Sequence, residues 1–68
     1  MKAEILKHET EAGNYLLIRA TDTADAEIAA QEFLDELPDN DTYLYEAKEA
    51  VLIPEEGHYK VRYNVVNR

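Results

Sequence analysis

The chain has 68 residues, no cysteine, and 15 carboxylates against seven Lys and Arg, for a formal net charge of −8 at pH 7. That length builds one domain over 1–68, and without disulfides or thiolate metal sites its stability must come from packing, helped or not by self-association. The acids are polarised: Ala20 to Ala47 holds nine carboxylates and no Lys or Arg, and residues 22–56 hold twelve against Lys48 alone. A body with one strongly negative side repels nucleic acid and anionic membrane and attracts basic surfaces.

Met1-Lys2-Ala3-Glu4 lacks an apolar h-region, and no uninterrupted apolar run is longer than Ala50–Ile53. Neither a signal peptide nor a membrane span is therefore expected, and a cytoplasmic location follows.

Residues 3–9 alternate imperfectly and read as a strand. Gly13-Asn14 signals a turn, and 14–20 (Asn-Tyr-Leu-Leu-Ile-Arg-Ala) is a second strand, so 3–20 reads as a hairpin. Thr21-Asp22-Thr23 offers three N-cap residues, with Asp25 and Glu27 in the first turn, where carboxylates favour the exposed amides. A helix over about 24–37 follows. Its apolar stripe is Ala26, Ala29, Ala30, Phe33 and Leu37, with Leu34 at the fringe, and Pro38 ends it ahead of the Asp39-Asn40-Asp41 loop.

Residues 42–53 are ambiguous in composition, since Glu46–Ala50 favours helix while Thr42–Tyr45 and Val51–Ile53 favour strand. One long or bulged strand fits best, because Pro54-Glu55-Glu56-Gly57 then turns the chain into a final strand over 58–66. That last segment alternates, with Tyr59, Val61, Tyr63 and Val65 on one face and His58, Lys60, Arg62 and Asn64 on the other. The order ββαββ predicts an α+β fold, a four-stranded, mainly antiparallel sheet with one helix packed on one face. Leu16, Ile18 and Ala20 would face that helix beside Tyr59, Val61, Tyr63 and Val65. The uncovered face would carry Tyr15, Leu17, Arg19, Lys60 and Arg62.

The functional signal lies in the acidic segment. Asp25, Gln31, Glu32, Asp35 and Glu36 fall on the outer helix face, continued by Asp39 and Asp41. A groove evolved to neutralise phosphates should also attract a rigid carboxylate array. The helix contains no Lys, so it forgoes the i,i+4 pairs that merely soluble helices use. Ile28, opposite the apolar stripe and ringed by acids, has the form of a small hot spot with a polar rim. Tyr43 and Tyr45, on one side of the chain just after the acidic loop, suit a protein interface.

Other chemistries find little support. His8 and His58 have no acidic pair at metal-ligand spacing, and 39–41 lacks the glycine and terminal glutamate of a calcium loop. With no serine, no cysteine and no Gly-rich phosphate loop, the usual nucleophile sets cannot be built, so neither an enzyme nor a cofactor is expected. Lys60, Arg62 and Arg68 are too few to bind nucleic acid directly on so acidic a chain, and cross-strand pairing with Glu4, Glu9 or Glu49 is their expected use.

In size, acidity and layout the chain resembles the small phage-encoded anti-defence proteins, the anti-CRISPR inhibitors in particular. The hairpin 3–20, the capped acidic helix Thr23–Leu37 and the Tyr-rich hairpin 42–66 carry that likeness. It implies a non-enzymatic inhibitor, acting in a host cytoplasm, that blocks a nucleic-acid-binding effector complex through contact or mimicry. The expectation is thus a binding protein that presents Asp25, Ile28, Glu32, Asp35, Glu36, Asp39, Asp41, Tyr43 and Tyr45 to a basic protein surface. The alternative is a small homodimeric structural or regulatory module that associates through its open sheet face.

Overall fold

The computed structural model describes residues 3–67, so Met1, Lys2 and Arg68 lie outside the described residues. Its elements are β1 (Glu4–Glu9), β2 (Tyr15–Arg19), α1 (Thr23–Asp35), β3 (Tyr43–Ile53) and β4 (His58–Asn67). The strands form one antiparallel sheet in the order β1-β2-β4-β3, and α1 packs on one face of it. This is the ββαββ, α+β architecture that the sequence predicts.

Local chemistry fixes each junction. The β1–β2 turn passes through Gly13 at φ 131°, a conformation that a side chain would strain. Glu9 closes that turn: its Oε2 accepts from the amides of Glu11 (3.1 Å) and Ala12 (3.2 Å), while Lys7 Nζ lies 3.0 Å from Oε1. The Lys7 hydrogen bond first, then the Ala12 and Glu11 amides, pull the Glu9 carboxyl down from about 4.5 to about 2. A carboxyl depressed on folding stabilises the fold above its unfolded pKa, and that contribution is lost as pH falls toward 2. Glu9→Gln should therefore lower the thermal midpoint at pH 7, with the gap to the native chain closing between about pH 4.5 and 2. A gap independent of pH would contradict this role.

Of the three cap candidates the helix uses Asp22, whose Oδ1 accepts from the Asp25 amide at 2.8 Å. Asp25 reaches back, accepting at 3.3 Å from both the amide and the hydroxyl of Thr21. This reciprocal arrangement is a capping box displaced by one residue, and such caps contribute about 1 kcal/mol. The helix closes at Asp35, slightly earlier than predicted, as the Glu36 and Leu37 amides turn back to the carbonyls of Phe33 and Leu34. The Asn40 side-chain amide donates to the Asp35 carbonyl.

Leu16, Ile18, Ala26, Ala30, Leu34, Ala50, Val61 and Tyr63 form the core. Leu34 is wholly buried, whereas Phe33 and Leu37 are only partly so, which reverses the expected ranking within the stripe. The cause is the helix position: α1 leans chiefly on β3 and barely touches β1, which rotates its buried arc toward Leu34. Small residues at both surfaces, Ala26, Ala30, Ala47 and Ala50, permit that close approach.

β3 is continuous but bulged. Ala47 pairs with Tyr63 and Ala50 with Val61, so Lys48 and Glu49 both stand against Arg62. The β3–β4 hairpin also outreaches the shorter pair, since β2 meets β4 only from Tyr59 to Arg62. Val65, expected to face the helix within the core, is consequently 40% exposed. On the helix side an aromatic row runs Tyr43, Tyr45, Tyr63, His8, Phe33, with ring centroids 5.3–6.4 Å apart. His8 Nε2 and the Tyr63 hydroxyl are 2.6 Å apart. His8 therefore belongs to the packing beneath the helix, a role that sequence spacing did not indicate.

Candidate functional site: an acidic groove beside the helix

Every third or fourth residue of α1 falls on the same flank, so its polar residues divide into two sets. Glu27 and Gln31 face β3. Glu27 Oε2 accepts from the Ala50 amide at 2.9 Å, Gln31 Oε1 accepts from the Ala47 amide at 3.1 Å, and Gln31 Nε2 donates to the Tyr45 carbonyl at 3.0 Å. These side chains occupy the outward backbone groups of an edge strand, the positions most open to unwanted strand pairing. Gln31 is thus not part of the free outer face, contrary to the sequence reading. Gln31→Ala should cost about 1–3 kcal/mol in urea unfolding, the net worth of its two hydrogen bonds to β3, and should speed exchange of the Ala47 amide. Unchanged exchange at Ala47 would remove this edge role.

The other flank faces β1, where the helix leaves the sheet uncovered. Here Ala3, Ile5, Ala29 and Phe33 form the floor of a groove of about 390 Å³, and Glu32 and Glu36, one turn apart, rim it. Both carboxylates are exposed. Ile28, one turn before Glu32, is 61% exposed, as its position opposite the stripe predicts. Sequence reasoning missed the groove floor, because Ala29 and Phe33 read as core stripe residues and Ile5 as an ordinary strand residue.

The remaining expected contact residues lie elsewhere and are partly engaged by the fold. Asp25 serves the N-cap at the far end of the helix. Asp35 is exposed on the helix crest and accepts from Gln31 at 3.0 Å. Asp39 accepts from the Tyr45 hydroxyl at 2.8 Å, and Asp41 is exposed in the same loop. Tyr45 is half-buried against the core, and its bond to Asp39 together with burial pushes its phenol up to about 12. Tyr43 is half-buried beside it at 6.4 Å. The structure therefore brings Ile28, Glu32 and Glu36 together, sets Asp35 on the adjoining crest, and gathers Asp39, Tyr43 and Tyr45 into a separate cluster after the helix.

The cations complete the electrostatics. Directly paired residues of antiparallel strands share a face. Leu16, Ile18, Val61 and Tyr63 mark the helix side, so Arg19, Lys60 and Arg62 project from the opposite side, with Lys7 set against Leu17. Lys48 lines a depression there with Lys60 and Arg62. All five described Lys and Arg residues thus occupy the open sheet face, away from the helix acids. Lys7 pairs with Glu9 and Arg19 with Glu4 (3.7 Å), while Lys60 sits 4.3 Å above the Tyr15 ring. The expected pairing of Lys60 and Arg62 with Glu4, Glu9 or Glu49 does not occur, because Arg19 and Lys7 are nearer to the first two. Among the described residues no Lys or Arg comes within ion-pair distance of Glu32, Asp35 or Glu36.

Among the described residues no group of three His, Cys, Asp or Glu side chains converges as metal ligands would, and no helix is long and apolar enough to cross a membrane. Compared with family models, curated proteins and solved structures, the chain has no significant match.

Proposed function

We propose that this is a non-catalytic binding protein whose acidic helix flank docks onto a basic protein surface, in particular one built to hold nucleic acid. One observation carries the reading: the carboxylates of Glu32, Asp35 and Glu36 stand exposed with no Lys or Arg of the described residues within ion-pair distance, while every described Lys and Arg lies across the sheet. The two rim carboxylates border an apolar floor, so a Lys or Arg could pair with Glu32 or Glu36 while an apolar neighbour fills the groove. Inhibition would follow from occupancy, as the resemblance to the anti-CRISPR proteins suggests: a basic groove filled by this flank cannot also hold its nucleic acid.

The homodimer alternative fits the charge distribution less well. Pairing two open sheet faces would bring Lys60 and Arg62 of one copy toward those of the other, and burying unpaired cations costs several kcal/mol each.

The test is a nuclear magnetic resonance titration of the 15N-labelled chain with a peptide alternating Lys and Leu. Amides of Ile28, Glu32, Phe33 and Glu36 should shift, and the affinity should fall steeply as salt rises. Shifts confined to the 39–45 cluster, or an affinity indifferent to salt, would overturn this placement of the site.

A further inference from the structure

The open sheet face carries a feature that the helix flank does not explain. Lys60 and Arg62, two apart on β4, project from the same face in the middle of the sheet, and the β3 bulge adds Lys48 beside them. A bulge re-aims a side chain, and this one supplies two residues where the ladder needs one. Lys48, Lys60 and Arg62 wall a depression of about 440 Å³ together with Val51, with Glu49 as its only lining carboxylate. None of the three cations lies within ion-pair distance of a carboxylate among the described residues. Three neighbouring like charges oppose one another, and only the Tyr15 ring beneath Lys60 and the nearby Glu49 offset them.

The surroundings narrow what could enter. Tyr15 and Leu17 lie beside Arg62 and Lys60 on the same face, so apolar surface adjoins the cations. Glu4 and Glu9 on β1, and Glu46 on β3, are paired so that they fringe this face at its outer strands. An extended polyanion tracking across the sheet would meet those acids and the −8 charge of the whole chain. A short segment with one or two carboxylates and an apolar neighbour avoids both penalties. Its carboxylates would meet Lys48, Lys60 and Arg62, and its apolar side chain would meet Val51 or Leu17.

The geometry points to a second docking site at this depression, for a carboxylate-bearing and partly apolar segment of a protein. Such a chain would have two faces of opposite charge, able to join a basic partner and an acidic one. The inference is independent of the helix-flank reading, since it uses different residues on the opposite face, and either can fail alone.

The experiment titrates the 15N-labelled chain with an N-acetylated, C-amidated tetrapeptide alternating Glu and Leu. Saturable shifts are expected at Lys48, Val51, Lys60 and Arg62, with a thermal midpoint that rises with peptide concentration. The double variant Lys60→Glu/Arg62→Glu should bind at least tenfold more weakly. Lys60→Gln/Arg62→Gln, which removes the charges without reversing them, should also weaken binding, and it carries the test where the charge reversal disturbs the fold. Three results would overturn the proposal. One is an absence of saturable shifts at these residues. Another is equal or tighter binding of a single-stranded oligothymidylate, which would make the ligand a nucleic acid. The third is the same shifts arising from protein concentration alone, which would make the occupant a second copy of this chain.

Discussion

Leu34→Ala is expected to remove most of the stability of this chain, and Phe33→Ala distinctly less. Leu34 is wholly buried between Ala26, Ala30 and the sheet, so truncation leaves a cavity in the only core that the described residues form. Large-to-small changes at such sites cost about 2–5 kcal/mol. A domain of this size has roughly 3–10 kcal/mol in total, at about 0.05–0.15 kcal/mol per residue. Phe33 is only partly buried, at the groove floor and against His8 at 5.3 Å, so its loss exposes less and opens no closed cavity. Urea unfolding of the two variants at neutral pH gives the comparison. A larger loss from Phe33→Ala would mean that the helix is rotated from the position described, with the groove closed.

The second large effect concerns binding. Reversing Glu32, Asp35 and Glu36 together to Lys should weaken the cationic-peptide complex on the order of 100-fold while leaving the fold intact. The three side chains are exposed, Lys is as good a helix former as Glu, and Asp35 surrenders only its bond to Gln31. Each reversal replaces an attraction by a repulsion, and charges at an interface act mainly on encounter rate and salt dependence. The same change at Asp22, Asp25 and Glu27 is not a comparable control, because those acids cap the helix and hold the Ala50 amide. Exposed acids that lie outside the groove and make no described bond, such as Glu55 and Asp41, serve that purpose better.

Much of the architecture is legible in the chain because its local signals agree with one another. Asp22 beside Asp25, Gly13 at the first turn and Pro54-Glu55-Glu56-Gly57 at the last each specify one junction. The alternation from His58 to Tyr63 correctly assigns the two sheet faces. Helix-forming composition at Glu46–Ala50 yields to strand pairing, and the conflict leaves its mark as the bulge at Lys48 and Glu49. What periodicity could not supply is the lateral position of the helix. A stripe that includes Ala29, Phe33 and Leu34 is compatible with a helix over either half of the sheet. Only the packing of α1 on β3 decides that Leu34 is buried while Phe33 edges a groove.

The candidate site follows the same division. Ile28, Glu32 and Glu36 are recognisable from helix geometry and from the missing Lys residues. Gln31, Asp25 and Tyr45 looked equally available, yet the fold uses them, through the β3 edge, the N-cap and the Tyr45 hydroxyl's bond to the Asp39 carboxylate. Polar side chains that satisfy distant backbone groups cannot be told from free ones by composition, because their partners lie four to sixteen residues away in sequence.

The affinity of the alternating Lys–Leu peptide, measured from low to high ionic strength for the native chain and for the Glu32/Asp35/Glu36→Lys triple variant, addresses the central claim most directly. A negative helix flank left unneutralised by the described Lys and Arg residues predicts tight binding at low salt that declines steeply in the native protein and is nearly absent in the variant. Two superimposable curves would show that these three carboxylates are not what the peptide meets.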